Sequence, residues 1–568
     1  MNIPTTSRIT GAEALMRSLE HQGVTTLFGY PGGSIMPVFD ALYDHRGTLN
    51  HILVRHEQGA THAAQGYARV SGRVGVCLVT SGPGATNTIT GIADAMIDST
   101  PLVVIAGQVG TGFLGTDAFQ EVDFVGVTQP ISKWSYQIRC ADDVAWAVAR
   151  AFYIAGSGRP GPVVLDFSKN AQTEQTDYAP VEVDFIRSYV PVPDTDELVI
   201  RQAAELINNA RRPLVLVGQG VELGGAQTQL RTFLEKADLP AACTLLGLSA
   251  LPSEHRLNMG MLGMHGNLAP NVMTNECDVL IAVGMRFDDR VTGKLDSYAR
   301  QAQIIQFDID PAEIDKNVKV NHAVLGNCKQ TLAAVTALLH PADHREWLAA
   351  FAPYRQKEEE RVIAPELHPA TNPLSMGEVV RAVSDATAGE AILVTDVGQN
   401  QMMAARYFRT RHERSIVTSG GLGTMGFGLP AAIGATFGCP DRTVCLFMGD
   451  GGFQMNLQEL GTIMEQQAPV KMILLNNNYL GNVRQWQAMF FDRRYSFTPM
   501  LNPDYLQIAA AYGIPARRVS ARGELADAIG QMLASEGAFL LEACVEEEGS
   551  VMPMVPPGEA VNHMLLEC

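Results

Sequence analysis

Val444-Cys445-Leu446-Phe447-Met448-Gly449-Asp450-Gly451, followed by Met472-Ile473-Leu474-Leu475-Asn476-Asn477, is the pair of stretches that decides the fold. Each half is an unbroken apolar run that stops abruptly at glycine, aspartate or asparagine. A run without polar alternation predicts a strand buried on both faces, as in a parallel sheet covered by helices on each side. Leu457–Gln467, between the halves, has helical spacing, so the whole reads as one strand–helix–strand crossover. Asp450 and Asn477 then stand at neighbouring strand ends, where open parallel sheets bind ligands. A carboxylate and an amide oxygen, completed by backbone carbonyl and diphosphate oxygens, suit octahedral magnesium. The glycines allow backbone to approach phosphate closely. Alone, Asp-Gly and Asn-Asn are ordinary turn residues. Specificity comes from both halves following strands at this spacing.

Runs of the same kind recur outward in both directions: Val74–Thr80, Leu102–Ala106, Val163–Phe167, Leu214–Val217, Val279–Val283, Ile304–Ile309, Ile392–Val397 and Phe539–Val545. Stretches of helical spacing, such as Gly11–His21, lie between them. The fold class expected is α/β, with doubly wound parallel sheets. Two stretches read as linkers: Asn170–Glu197, polar and without a clear period, and the charged, proline-bearing Pro341–Pro373, part of it helical. Cutting there gives three segments of domain size, residues 1–180, 195–345 and 370–568. No short repeat relates them, although the outer two could share a fold.

Composition narrows the function. The chain has 568 residues, with 60 acidic against 42 basic and a net charge of −18. Nothing neutralises phosphates in bulk, so nucleic acid is not an expected partner. The nine cysteines form no CxxC pair, which disfavours zinc, and several sit in apolar runs as in a reducing compartment. No apolar run approaches a membrane span, and the first residues lack a signal peptide's apolar core. A cytoplasmic enzyme is the expectation.

The Gly449-Asp450-Gly451 and Asn476-Asn477 pair resembles the diphosphate-binding signature of thiamine-diphosphate enzymes. Phe28–Gly33, Thr80–Asn87, Ala118–Glu121, Ser157–Pro162, Gly263–Asn267, Gly284–Arg290, Asp308–Pro311 and Gly420–Pro430 narrow the likeness to acetohydroxyacid synthase catalytic subunits, over nearly the whole chain. The family implies a pyrimidine-binding, a central Rossmann-like FAD-binding and a diphosphate-binding domain in that order. It implies magnesium held by Asp450, Asn477 and the Tyr479 carbonyl. Gln399, Gly449, Gly451 and Asn482 would lie against thiamine diphosphate, with Gly423 facing the pyrimidine and Met425 wedged between its rings. Glu57 would hydrogen-bond the pyrimidine and favour its protonated form; otherwise it reads as a helix-start carboxylate beside arginine. Gly33, Gln120 and Lys169 are further implied active-site contacts. Arg159, His265, Arg286, Asp308 and Asn327 are implied to line FAD, which has no net redox task. Gly218-Gln219-Gly220 is not a full dinucleotide motif, and a plain Rossmann-like spacer is the alternative for this segment.

Arg290 offers a fork for a substrate carboxylate, and Trp486 an apolar wall that can tell ethyl from methyl. Val397 and Met264 join them as implied substrate contacts. The bland readings are an Arg290 ion pair with Asp288 or Asp289, and a core tryptophan. Two positions depart from the family: Asn482 stands where methionine is usual, and Asn400 where histidine is usual. The activity implied is decarboxylation of pyruvate and joining of its fragment to pyruvate or 2-ketobutyrate, giving 2-acetolactate or 2-aceto-2-hydroxybutyrate. A homodimer or homotetramer with sites shared between chains is implied, together with a small regulatory subunit. Two rivals stay open: a flavin-dependent pyruvate oxidase, and a silent cofactor-binding assembly subunit.

Overall fold

The computed structural model describes residues 7–370 and 373–567. An antiparallel pair, β1 (Ser7–Thr10) and β8 (Gln175–Tyr178), ties the two ends of the first domain together. Its sheet contains β2 (Thr26–Gly29), β3 (Asn50–Leu53), β4 (Gly75–Val79), β5 (Leu102–Gln108), β6 (Trp134–Ile138) and β7 (Pro162–Ser168), in the order β3-β2-β4-β5-β7-β6. The central sheet contains β9 (Pro213–Val217), β10 (Ala241–Cys243), β11 (Asn258–Met261), β12 (Val279–Val283), β13 (Gln303–Asp308) and β14 (His322–Leu325), in the order β11-β10-β9-β12-β13-β14. The third contains β15 (Ile392–Thr395), β16 (Ile416–Val417), β17 (Val444–Gly449), β18 (Lys471–Asn476), β19 (Ala516–Val519) and β20 (Phe539–Cys544), in the order β16-β15-β17-β18-β20-β19.

Every pairing within these three sheets is parallel. The outer two share one topology, and the central one has the strand order of dinucleotide-binding folds. All ten apolar runs are strands. The reason they are continuous is visible in β4: Val76 and Leu78 enter one core, Cys77 and Val79 the opposite one. In β17, Leu446 and Met448 face one core while Cys445 and Phe447 face the other.

The strands outside those runs are chiefly β3, β6, β11, β14, β16 and β19, which are the six sheet edges. Edge strands bury less, so they carry polar residues such as Asn50, His51, Arg517 and Arg518 and lack the apolar signal. The second expected linker is largely helical: Arg345–Ala349, Ala352–Glu358, a wide turn over Glu359–Ile363, then Ala364–Leu367. It is part of the packing, because Trp347 and Phe351 are buried in the central core and the Trp347 indole donates to the Pro213 carbonyl at 2.7 Å.

The outer domains pack through the helices Glu57–Ser71 and Gly428–Gly438. Small residues let these backbones touch. A Cβ at Gly66 would lie 2.0 Å from the Ala431 oxygen, and one at Gly434 1.8 Å from the Ala63 oxygen. A buried ion pair, Arg406–Glu358 at 2.6 Å, fastens the central domain to the third. Arg406 also donates to the carbonyls of His265 and Gly266, and Glu358 accepts from the Leu268 N–H.

Candidate active site

In the third sheet, β17 and β18 are adjacent, with Gly449 in register with Leu475. Asp450 opens the short helix Asp450–Met455, and Asn477 follows β18 directly, so the crossover brings the two side chains together. Both are buried, 1% and 2% exposed, and both line a cavity of about 50 Å³ with Tyr479, Gly449, Gly451, Gln399, Met425 and Asn482. Asp450 accepts from the Asn502 amide at 2.7 Å and from the Gly451 N–H at 3.1 Å. Burial pushes its carboxyl up to about 6, against those hydrogen bonds. Asn477 accepts from the Tyr479 N–H at 3.2 Å and donates to Gln399 at 3.4 Å. Gln399 is itself fixed by bonds to Gln485 at 3.0 Å and the Gly549 carbonyl at 2.9 Å.

A buried carboxylate whose partners are neutral, beside amide and carbonyl oxygens, fits a hard divalent cation in its donor chemistry. A Cβ at Gly451 would meet the Leu480 side-chain methyl at 2.6 Å, so a larger residue there would push that side chain aside. Two amides here are incompletely bonded: the Oδ1 atoms of Asn400 and Asn482 are buried without a partner among the described residues.

A second cavity, about 560 Å³, lies among all three domains and joins the first at Val397, Gly398 and Asn482. Arg159 from the first domain and His265, Arg286, Asp308 and Asn327 from the central one all line it. The volume is that of a small-molecule or cofactor site. Burial lifts the Asp308 carboxyl to about 6, and burial with the Arg406 and Arg290 charges lowers His265 to about 3. The His265 Nδ1 atom is buried without a partner among the described residues. An unmet polar atom and a glycine-lined wall fit a large polar cofactor. Arg159 is already engaged by Glu313 at 2.6 Å and Asp310 at 3.1 Å. Gly218 and Gly220 are explained first by β-strand packing, because a Cβ on either would meet Gly284 within 2.1 to 2.6 Å.

Gly423, Arg290, Trp486, Val397 and Met264 line the same cavity. Trp486 sits on the helix Gly481–Phe490 and shares an apolar cluster with Met264 and with Met552 and Met554 of the C-terminal segment. Val555 donates to the Met264 carbonyl at 2.8 Å. Arg290 is largely exposed, with Asp289 at 3.7 Å, the surface pair that is its bland reading. Such a pair binds weakly and leaves the guanidinium free to meet a carboxylate.

Gly33, Glu57, Gln120 and Lys169 line neither cavity. They stand at the carboxyl ends of the first sheet, after β2, β3, β5 and β7. Their loops converge: Asn87 donates to Glu57 at 2.9 Å, a Cβ at Gly84 would lie 3.3 Å from Glu57, and one at Gly82 would lie 2.9 Å from Gln120. Gln120 has a φ of +61°, a strained backbone that its loop imposes. Phe119 beside it is 88% exposed; Phe113 six positions before it and Met36, just after Gly33, are exposed too.

Several site residues belong to no motif and were not singled out by the sequence. Asn502 reaches Asp450 from a loop with no motif. Asp396, buried and accepting from the Gly426 and Gly428 N–H groups, holds the glycine-rich loop from the strand side. It lies at the end of the apolar run Ile392–Val397, a strand-end position that could have singled it out, although no motif marks it. Asp94 and Asp98, from the first domain, hold the other side: Asp98 accepts from Gly420 at 2.9 Å and Gly421 at 2.7 Å, and Asp94 from Ser419 and Thr424.

Three family models of thiamine pyrophosphate enzymes match the chain: the N-terminal TPP binding domain over residues 9–127, the central domain over 200–335, and the C-terminal TPP binding domain over 396–543. Among curated proteins, the chain is 44% identical to an acetolactate synthase isozyme 2 large subunit of Escherichia coli (strain K12), covering 98% of this chain and 99% of that protein. It is 46% identical to an acetolactate synthase large subunit of Parasynechococcus marenigrum, covering 99% and 92%. It is 42% identical to a probable acetolactate synthase large subunit of Methanocaldococcus jannaschii, covering 98% and 95%.

Proposed function

The chain belongs to the acetolactate synthase large subunits among the thiamine pyrophosphate enzymes, and from that membership we propose the division of labour within its site. It is a thiamine-dependent carboligase of branched-chain amino-acid synthesis. The reaction takes pyruvate, releases CO2, and joins the remaining two-carbon unit to the keto carbon of pyruvate or 2-ketobutyrate. The observation that carries the residue-level reading is the buried Asp450–Asn477 pair at adjoining strand ends.

When bound, thiamine diphosphate supplies the electron sink that lets CO2 leave a 2-keto acid. Asp450, Asn477 and the Tyr479 carbonyl would hold magnesium, and the Gly449–Gly451 turn would take the diphosphate with Gln399. Gly423 and Met425 would set the cofactor's bend. Glu57 would hold a proton at the pyrimidine nitrogen, and the first-sheet residues Gly33, Gln120 and Lys169 would face the substrate. Because these four line neither cavity of their own chain, the reading gives them to the site of a second copy in a homodimer or homotetramer. The exposed Phe119 and Phe113 support a covered face there. FAD would occupy the larger cavity against Arg159, His265, Arg286, Asp308 and Asn327 as a structural group. Arg290 would pair with the acceptor's carboxylate, while Trp486, Met264 and Val397 form its apolar wall. The relatives are called large subunits, so a small regulatory subunit is a proposed partner. No helix among the described residues is long and apolar enough to cross a membrane, and a cytoplasmic location is proposed.

Product analysis tests the reading. Purified protein with thiamine diphosphate, magnesium and FAD should convert pyruvate to 2-acetolactate, and with 2-ketobutyrate also to 2-aceto-2-hydroxybutyrate. Acetyl phosphate or peroxide in place of these acids would mark an oxidase and overturn it.

A further inference from the structure

One buried carboxylate at the contact between the outer domains lines neither cavity. Glu459 ends the single turn Leu457–Glu459, which follows the helix Asp450–Met455 in the third domain. It is 0% exposed, and its Oε1 atom accepts the Arg55 and His56 N–H groups of the first domain, each at 3.0 Å. Its Oε2 atom accepts from the Thr462 hydroxyl at 2.7 Å. The two N–H groups belong to the turn that leads from β3 into the helix Glu57–Ser71, so the carboxylate grips the backbone directly before Glu57. The helix makes room for it at Gly59, where a Cβ would lie 2.5 Å from the Glu459 Oε1 atom.

Glu57 is thereby fixed from two directions. Glu459 holds the backbone before it from the third domain, and the Asn87 amide holds its carboxylate at 2.9 Å from the first. A negative charge at a helix start is also favoured by the positive end of the helix dipole. The Arg55 side chain crosses the same seam by other bonds, donating to the Gly461 carbonyl at 3.2 Å and to Glu465 at 2.6 Å. Those bonds tie the two domains without engaging the Arg55 or His56 N–H groups.

Resting on the reading of Glu57 given above, we propose that Glu459 is a positioning residue for Glu57, setting from the third domain the place at which that carboxyl holds its proton. Proton transfer needs hydrogen-bond reach, about 2.6–3.2 Å between heavy atoms, so a small shift of the helix start is enough to spoil it. Without the Glu459 carboxylate, the turn before Glu57 loses the acceptor that two of its N–H groups share, and nothing else on the third domain's side takes their place among the described residues. Gly59 belongs to the same device, because any side chain there would push the carboxylate off the two N–H groups.

The test has two readouts. One is amide hydrogen exchange of the peptide holding Arg55 and His56, followed by mass spectrometry on the apoprotein. The other is deuterium exchange at the thiazolium carbon of the holoenzyme without substrate. Glu459→Ala should expose the two amides and slow the thiazolium exchange at least about tenfold, since a misplacement of about 1 Å can cost about a hundredfold. Gly59→Ala keeps Glu459, adds a better helix former and puts a methyl where the carboxylate lies, so it should fold and act likewise. Glu459→Gln keeps one acceptor oxygen for both N–H groups, and the Thr462 hydroxyl can turn to the Leu53 carbonyl at 3.3 Å, so both readouts should stay close to the parent. Arg55→Met, which loosens the seam elsewhere, should leave the thiazolium exchange close to the parent. Parent-like readouts in Glu459→Ala or Gly59→Ala overturn the proposal, and Gly59→Ala decides alone if Glu459→Ala does not fold. Slowing in Arg55→Met as large as in Glu459→Ala overturns it too, because any loosening of the seam would then suffice. Equal slowing in Glu459→Gln also overturns it, by tying the effect to charge and not to the two bonds. Glu57→Gln separates the two ideas: parent-like thiazolium exchange there removes the reading of Glu57, and the proposal with it.

Discussion

Asp98→Ala should loosen the cofactor loop from outside the cofactor site. Asp98 is 1% exposed and lies in the first domain, just after the helix Ile89–Ile97. Its carboxylate takes the Arg69 guanidinium at 2.7 Å and the N–H groups of Gly420 at 2.9 Å and Gly421 at 2.7 Å. Those two glycines begin the loop that carries Gly423 and Met425. Alanine leaves Arg69 buried with the Thr418 carbonyl, at 2.7 Å, as its remaining hydrogen-bond partner, and frees two backbone donors. Removing one member of a buried ion pair costs about 3–5 kcal/mol where the other charge is left uncompensated, and the Asp94 carboxylate, which also acts on Arg69, holds the loss to the lower end of that range. That is a large share of the 5–15 kcal/mol typical of a domain. Urea unfolding of the apoprotein should show a clearly lower midpoint. Titration with thiamine diphosphate in magnesium, followed by intrinsic fluorescence, should show Kd raised by about tenfold or more, matching at least 1.4 kcal/mol of lost loop order. Arg69→Met with Asp98→Leu should recover part of the stability, since no buried cation is stranded although Asp94 loses the Arg69 charge, yet keep the weakened cofactor binding, since the loop still lacks its anchor. Parent-like midpoint and Kd in Asp98→Ala would refute the reasoning. A lower midpoint with unchanged Kd would show that the clamp supports the domain contact and not the loop.

Asp450→Ala should abolish magnesium-dependent binding of thiamine diphosphate, because the site then has no carboxylate for a hard cation; unchanged affinity by the same titration would make Gly449-Asp450-Gly451 a mere turn. Trp486→Leu should lower the ratio of 2-aceto-2-hydroxybutyrate to 2-acetolactate by about tenfold, within the 1–3 kcal/mol that a methylene contact supplies, and a parent-like ratio in competition would make the residue structural. His62 is buried against Phe427, ring centroids 5.2 Å apart, and burial together with the Arg69 charge lowers it from 6.5 to about 3. Its neutral form is favoured when folded, so its contribution is full above 6.5 and drains as pH falls from 6.5 towards 3; by pH 5 the loss is about 2 kcal/mol. Urea midpoints measured at pH 7 and pH 5 should show this drop in the parent and a flatter profile in His62→Gln, and equal slopes in the two proteins would count against it.

The sequence by itself determined the sheets' interiors and the metal-side half of the site. Runs such as Val279–Val283 admit one reading, because alternate residues must enter two different cores. Asp450 and Asn477 were legible for a related reason: a strand end fixes where the next side chain points, and one crossover fixes which strand ends are neighbours. The edge strands were not legible, since a partly solvated strand tolerates Asn50 or Arg517 and so lacks a signal. Tertiary structure alone decided how the domains meet. It put Arg159 from one domain and Asp308 from another on one cavity wall, and it bound the Gly420–Thr424 loop to Asp94 and Asp98 more than 300 positions away. It also left Glu57 off the cavity wall that carries Asp450, and it left the Asn482 oxygen unmet between two cavities. None of these follows from local periodicity, because each depends on contacts between residues whose separation along the chain carries no pattern.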